Sequence, residues 1–150
     1  MTSAPNFTLP DTDNRPVSLE SFRGRPVVVL FFPLAFTDVC TEELCAMRDN
    51  MAQYNGFDAQ VLAISVDSPF TLAQFKAKEQ LNFPLLSDFN KEAAQAYGVL
   101  YEDFFGLRGV AKRSAFVVDA DGAIAYEEVL EDAGEQPDYH RIQSTLRELT

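Results

Sequence analysis

Val27 to Phe32 is a run of six consecutive apolar residues, and Val61 to Val66 is a second run interrupted only by Ser65. Neither alternates with polar positions. Such runs fit strands covered on both faces, as in parallel sheets. Between them, Cys40, Leu44, Met47 and Met51 recur at i, i+4, i+7 and i+11. That spacing predicts a helix over 38–54, with Asn55 and Gly56 as its stop. Strand, helix and strand make a βαβ unit, whose crossover is right-handed.

The same reading extends to both sides. In residues 1–26, Asn6 to Leu9 and Val17 to Leu19 alternate around a polar stretch, Asp11 to Asn14. They predict a hairpin, with an irregular N-terminal lid as the other reading, and Ser21 to Arg25 suit one helical turn. Ser68 followed by Pro69 is an N-cap with proline at the first helical position, opening a helix to about Gln80. Phe83 to Ser87 is short and apolar, and Pro84 places it at a sheet edge. Asp88 can cap a helix over Lys91 to Tyr97 that Gly98 stops. Residues 99–112 are the least regular, and Gly106 and Gly109 mark a loop. Ser114 to Val118 reads as a strand, Asp119 to Gly122 as a hairpin turn and Ala123 to Val129 as the returning strand. An acidic stretch, Glu131 to Asp138, precedes a closing helix, Tyr139 to Leu149. The order predicts an α/β fold: a mixed β-sheet flanked by helices, behind an N-terminal β-hairpin. No repeat or linker divides the chain, so residues 1–150 read as one domain.

Composition narrows the partners. Twelve basic and twenty-three acidic residues give a net charge of −11, which argues against nucleic acid and anionic membranes. Met1 to Asn6 has neither the basic start nor the apolar core of a signal peptide. No stretch approaches the ~20 apolar residues of a membrane span. The expected location is the reducing cytoplasm, where two cysteines are more often catalytic than structural.

Both cysteines sit where a strand turns into a helix. Pro33 is barred from continuing a central strand. Thr37 is a good N-cap residue, which puts Cys40 in the first helical turn, among unpaired N–H groups at the positive end of the dipole. That setting favours thiolate over a thiol that otherwise titrates at about 8.5, so Cys40 is the candidate nucleophile. Cys45 stands just off the apolar stripe, where a cysteine also serves as a small buried hydrophobe. With His140 far away, the cysteines are too few and wrongly spaced for structural zinc. Arg113 stands immediately before the strand 114–118. Beside the strand 27–32 its guanidinium would stabilise a thiolate and hydrogen-bond a substrate oxygen; by position alone it is also a solvated surface charge. Thr37 either offers its hydroxyl to a substrate or only caps the helix. Glu43, about one turn beyond Cys40, reads as a helix surface charge. In open α/β sheets, sites lie beyond the carboxyl ends of strands, where Cys40 falls. No phosphate loop and no flavin, haem or nicotinamide motif is present, so no cofactor is expected.

The pattern Pro33-x-x-x-Thr37-x-x-Cys40, with Arg113 before a late strand, resembles the active-site signature of the peroxiredoxins. The resemblance covers nearly the whole chain: Pro5 to Asp11 is similar to their N-terminal segment, and Ser114 to Gly122 to their late strand and turn. It implies a thioredoxin-like fold with an added N-terminal β-hairpin, and a peroxidase that uses no metal or prosthetic group. Cys40 would be the peroxidatic cysteine, attacking the peroxide O–O bond and becoming a sulfenic acid. Thr37 and Arg113 would hold the peroxide and stabilise the leaving oxygen, the Cys40 N–H would assist, and Pro33 would shield the sulfur. Glu43 matches a position where the family often has Glu or Gln.

Cys45 resembles the resolving cysteine of the bacterioferritin-comigratory (PrxQ) group, which closes an intramolecular disulfide. In an intact helix, Cα atoms five residues apart lie roughly 8–9 Å from each other, whereas a disulfide needs about 7 Å or less. The first turns of that helix would therefore unwind on oxidation. Pro33 to Thr37 and Phe83 to Asp88 are more similar to the one-cysteine alkyl hydroperoxide reductase E group, resolved by an external thiol. The chain lacks the Gly-Gly-Leu-Gly and Tyr-Phe elements and the cysteine-bearing tail of the typical two-cysteine group, which implies relative resistance to overoxidation. The implied substrates are hydrogen peroxide, organic hydroperoxides and peroxynitrite, and the implied reductant is thioredoxin or a similar dithiol. A peroxide-sensing relay protein is the reading from another class. Monomer and weak homodimer are both compatible with the sequence.

Overall fold

In the computed structural model, which describes residues 2–149, strand β3 (Val27–Phe31) is the centre of a five-stranded sheet. Its parallel neighbour is β4 (Gln60–Ser65), and beyond it lies β5 (Leu85–Ser87), also parallel. On its other side β6 (Ser114–Val118) runs antiparallel, followed by β7 (Ile124–Val129). The order β5-β4-β3-β6-β7 makes a mixed sheet and puts the short, proline-preceded β5 at an edge, as expected. A separate antiparallel pair, β1 (Thr8–Pro10) and β2 (Pro16–Ser18), forms the N-terminal hairpin. The helical turn expected at 21–25 falls slightly earlier, as a 3-10 turn at Leu19–Phe22.

The unbroken apolar run of β3 is explained by what covers it. Val28 and Leu30 join a core formed with α1 (Asp38–Asp49), α2 (Met51–Gly56), α3 (Pro69–Glu79) and α5 (Tyr139–Glu148). Val27, Val29 and Phe31 join a second core with α4 (Glu92–Ala96) and the N-terminal hairpin. Side chains alternate between faces with period two; because both faces are buried, the alternation leaves no trace in polarity. On the second face, the Tyr97 ring packs between Phe31 and Phe116 at 5.3 and 5.0 Å. Its hydroxyl donates to the Pro5 carbonyl at 2.7 Å, tying the N-terminal segment to the sheet.

The helix expected over 38–54 is interrupted at Asn50. The Asn50 side-chain amide donates to the Ala46 carbonyl, while its backbone N–H turns to Met47 in a tighter turn. A side chain that competes for the helix's own acceptor weakens the helix locally. The stripe survives the break: Cys40, Leu44, Met47 and Met51 are all buried against the sheet. Asp88 caps from a distance. Its buried carboxylate accepts the N–H groups of Ala93 and Ala94 in α4, while Lys91 holds the N-cap position itself.

Topology sets up the region beyond the carboxyl end of β3. The antiparallel register places Ser114 opposite Phe31, so the start of β6 and the end of β3 lie at the same edge of the sheet. Arg113, just ahead of β6, thereby meets the chain as it leaves β3 for α1. Among the described residues no helix is long and apolar enough to cross a membrane.

Leu44 is fully buried at the centre of the α1 stripe. Leu44→Ala is expected to cost about 2–5 kcal/mol, the usual range for a buried leucine whose site cannot fully collapse. Urea unfolding would read this as a lower midpoint at unchanged slope.

Candidate active site

The turn between β3 and α1 is held from the neighbouring strand ends. The Ala35 N–H donates to the Asp67 carboxylate at 2.8 Å, and the same oxygen accepts the Ser65 hydroxyl at 2.7 Å. The Asp67 carbonyl in turn accepts the Ser87 hydroxyl at 2.6 Å. Asp67, two residues beyond β4, thus links the ends of all three parallel strands. Phe36 sits in the left-handed region at φ 69°, uncommon for a residue with a side chain. Its half-exposed ring rests on Phe75 at 5.1 Å, with the Lys78 ammonium 5.8 Å from its centre.

Thr37 occupies the N-cap position of α1 but does not cap it with its side chain. Its hydroxyl donates backwards to the Leu34 carbonyl at 2.7 Å, which the tight turn brings within reach. The Thr37 carbonyl accepts both the N–H and the hydroxyl of Thr41. The expected capping role is therefore replaced. The donors of the first turn have no capping side chain, and the Thr37 oxygen keeps its lone pairs.

Cys40 is 1% exposed, on the first turn of α1. The Arg113 guanidinium reaches it from the start of β6: Nη2 donates to the Cys40 sulfur at 3.2 Å and to the Ala133 carbonyl at 2.9 Å. Nη1 donates to Glu43 Oε1 at 2.6 Å. Arg113 and Glu43 are both buried. Burial pushes the Glu43 carboxyl up to about 7, although the charge and hydrogen bond of Arg113 pull the other way and Glu128 adds a smaller upward push. Burial alone would lower Arg113; Glu43 and Cys40 outweigh it and hold the guanidinium above its usual range. Glu43 Oε2 and Arg113 Nε have no hydrogen-bond partner among the described residues. One cation therefore serves two groups that can each become anionic.

This cluster opens into a cleft of about 490 Å³. Pro33, Leu34 and Thr37 form one wall, and Phe104, Phe105 and Leu107 stand on the other. The second wall comes from the stretch read as an irregular loop. Phe104 and Leu107 exchange backbone hydrogen bonds at 2.8 and 2.9 Å around Phe105 and Gly106, both at positive φ. That is the conformation of a two-residue hairpin turn. Phe105 is 90% exposed at its tip.

Cys45 does not line the cleft. It is partly buried on another side of α1, and its thiol donates to Glu79 Oε2, at the end of α3, at 3.5 Å. Burial first, and Glu79 second, push this thiol up from its ordinary range. Both cysteines are free, and α1 is an unbroken helix across them.

The structure brings Cys40, Glu43 and Arg113 into contact and places Pro33 and Thr37 around the same cleft. Cys45 remains apart. His140 is exposed on α5. The sequence did not reveal Ala133 as an anchor for Arg113, Asp67 as the tie of the β3–α1 turn, or Glu79 as the partner of Cys45. The aromatic tip had a usable signal: Phe104, Phe105 and Leu107 surround a glycine in a stretch that fits neither helix nor strand.

Residues 1–127 match the AhpC/TSA family. Peroxiredoxin Bcp of Escherichia coli (strain K12) is 43% identical over 132 residues, covering 86% of this chain and 83% of that protein. The chloroplastic peroxiredoxin Q of Oryza sativa subsp. japonica is 42% identical over 124 residues, covering 83% of this chain and 56% of that longer one. The crystal structure of peroxidoxin BcpB from Mycobacterium tuberculosis superposes with a TM-score of 0.87 at 29% identity, covering 99% of this chain and 96% of the other. That likeness identifies the mixed sheet, its flanking helices and the N-terminal hairpin as the thioredoxin-like fold expected from the signature. By a match that spans most of its length and by these relatives, the chain belongs to the AhpC/TSA family, among its Bcp and Q-type peroxiredoxins.

Proposed function

We propose that this thiol peroxidase reduces hydrogen peroxide and organic hydroperoxides at Cys40, with Arg113 as its electrostatic partner. The observation that carries the reading is the Arg113 N–H donating to the Cys40 sulfur at 3.2 Å, at the buried end of an apolar cleft. The thiolate attacks one peroxide oxygen, an S–O bond forms, and the O–O bond breaks. The departing oxygen takes the bonding pair and a proton, and leaves as water or an alcohol. Arg113 donates to that oxygen as charge develops, which is where a preorganised donor has most effect. The Thr37 hydroxyl, its hydrogen committed to Leu34, accepts from the peroxide O–H. The N–H of Cys40, in the uncapped first turn, adds a donor. Pro33 screens the sulfur from water, and Glu43 holds the guanidinium in register.

Cys45 then resolves the sulfenic acid by an intramolecular disulfide, and thioredoxin or a similar dithiol reduces it. The α1 helix separates the two cysteines by more than a disulfide spans, so its first turn opens during this step. The intact α1 and the hydrogen bond that engages Cys45 favour, as a second reading, resolution by an external thiol. The apolar wall at Phe104, Phe105 and Leu107 supports organic hydroperoxides as substrates alongside hydrogen peroxide.

One equivalent of hydrogen peroxide, followed by thiol alkylation and intact mass, tests the assignment. The wild type is expected to lose two hydrogens without dimerising, Cys45→Ser to hold a sulfenic acid, and Cys40→Ser to remain unreacted. Sulfenic acid persisting in the wild type would establish the external-thiol reading, and an inert wild type would end the peroxidase mechanism at Cys40.

Phe105→Ala should lower kcat/KM for a bulky aromatic hydroperoxide about 10-fold, the effect of roughly 1.4 kcal/mol of lost apolar contact. Turnover of hydrogen peroxide, which has no apolar part, should stay unchanged in the same assay.

Glu43 supplies a pH test. Its folded-state value of about 7 lies above its ordinary 4.5, so between these the native state binds more protons than the unfolded one. Its contribution to stability is therefore fully present below pH 4.5 and is lost as pH rises through 7. Urea midpoints across this window should decline in the wild type and decline less in Glu43→Gln.

A further inference from the structure

We propose that Glu79 is the general base that activates Cys45 for disulfide formation. The inference rests on the resolving role of Cys45. A thiol is a poor nucleophile until it loses its proton, and the Cys45 proton points at one oxygen, Glu79 Oε2, 3.5 Å from the sulfur. Arg48 and Asp49 are the other charged groups that act on this thiol, and they are paired with each other at 2.9 Å. The Arg48 guanidinium also donates to the Glu79 backbone carbonyl, and the Asn82 amide donates to the Arg48 carbonyl at 3.3 Å. The C-terminal half of α1 is thus tied to the end of α3 and the residues just after it by two side chains that each donate to a backbone carbonyl, close to the Cys45–Glu79 pair.

The first turn of α1 is held differently. Cys40 and Glu43 meet Arg113 through side chains, and the N-cap hydroxyl is turned away from the helix. In the proposed step unwinding starts at the Cys40 end, where no side chain caps the helix. Cys40 travels toward Cys45, while Cys45 stays against its carboxylate.

The step balances without any further reactant. The Cys45 S–H proton passes to the Glu79 carboxylate as the sulfur pair forms the S–S bond. The S–O bond of the Cys40 sulfenic acid breaks, and the hydroxyl leaves with that electron pair. It collects the proton from Glu79 and departs as water, leaving the carboxylate restored.

Rapid-quench trapping of sulfenic acid in the full-length protein, after one equivalent of hydrogen peroxide, tests this across pH 6 to about 9, a range that spans ordinary thiol ionisation. Glu79→Gln should form the sulfenic acid at the wild-type rate. Its decay to disulfide should slow by about 100-fold near neutrality, within the usual range for a positioned base. The wild-type decay should be nearly flat with pH, whereas that of Glu79→Gln should climb with hydroxide. Glu79→Asp, which keeps a carboxylate, should be slower than wild type but retain its flat profile, and serves alone if Glu79→Gln does not fold. Decay in Glu79→Gln that matches or exceeds the wild-type rate, or that slows equally at every pH, overturns the base role; so does a hydroxide-dependent Glu79→Asp. Persistent sulfenic acid in the wild type instead overturns the resolving role of Cys45, and the role of Glu79 with it.

Discussion

One buried guanidinium organises the candidate site. Taking a charge out of water costs several kcal/mol unless its surroundings replace the lost solvation. Around Arg113 they do so with three different acceptors: the Cys40 sulfur, the Glu43 carboxylate and the Ala133 carbonyl. Two lie on α1 and the third in the segment after β7, so the cation can be stably buried only when α1, β6 and that segment are assembled. Two of its acceptors can also be anionic. Burial raises the Glu43 carboxyl against the pull of Arg113, so the carboxylate does not fully neutralise the guanidinium, which can act on sulfur in the proposed chemistry.

The sheet explains how that cation arrives. Parallel β3, β4 and β5 end at one edge, and the antiparallel β6 starts at the same edge. A turn leaving β3 and an arginine entering β6 then meet, although Arg113 stands 73 residues beyond Cys40. Asp67 and Ser87 stitch the strand ends laterally, so the turn that carries Pro33 and Thr37 has a fixed frame. The proposed reaction needs a rigid frame at the peroxide and a yielding helix start at Cys40. The structure separates these demands, with the rigid ties placed on the strand ends and on the C-terminal half of α1.

Much of the fold was legible from the sequence. The runs at 27–32 and 61–66 lack alternation because both faces are covered, and the stripe from Cys40 to Met51 predicted a helix face that is buried throughout. Other features were not legible. Asn50 breaks the helix by capturing a carbonyl, a competition between two local bonds that periodicity does not weigh. Thr37 stood at the expected N-cap, yet its hydroxyl turned to Leu34, since an N-cap residue type specifies a position and not the partner its side chain takes. By position alone Glu43 read as a helix surface charge and only the family resemblance marked it; the physical reason, a face buried against Arg113, came from the structure.

The sequence by itself determined the order of the elements, the placement of Cys40 just after a strand-to-helix turn and of Cys45 further along that helix and, through the resemblance carried by Pro33-x-x-x-Thr37-x-x-Cys40, the family. These depend on residue types a few positions apart, which act through local backbone preference and burial period. Tertiary structure alone decided that Arg113, 73 residues beyond Cys40, touches its sulfur. It also decided that Phe104, Phe105 and Leu107 wall the cleft and that Cys45 faces Glu79. Those contacts follow from strand register and from how helices settle on a sheet, where charges lose water and must find partners in segments remote along the chain.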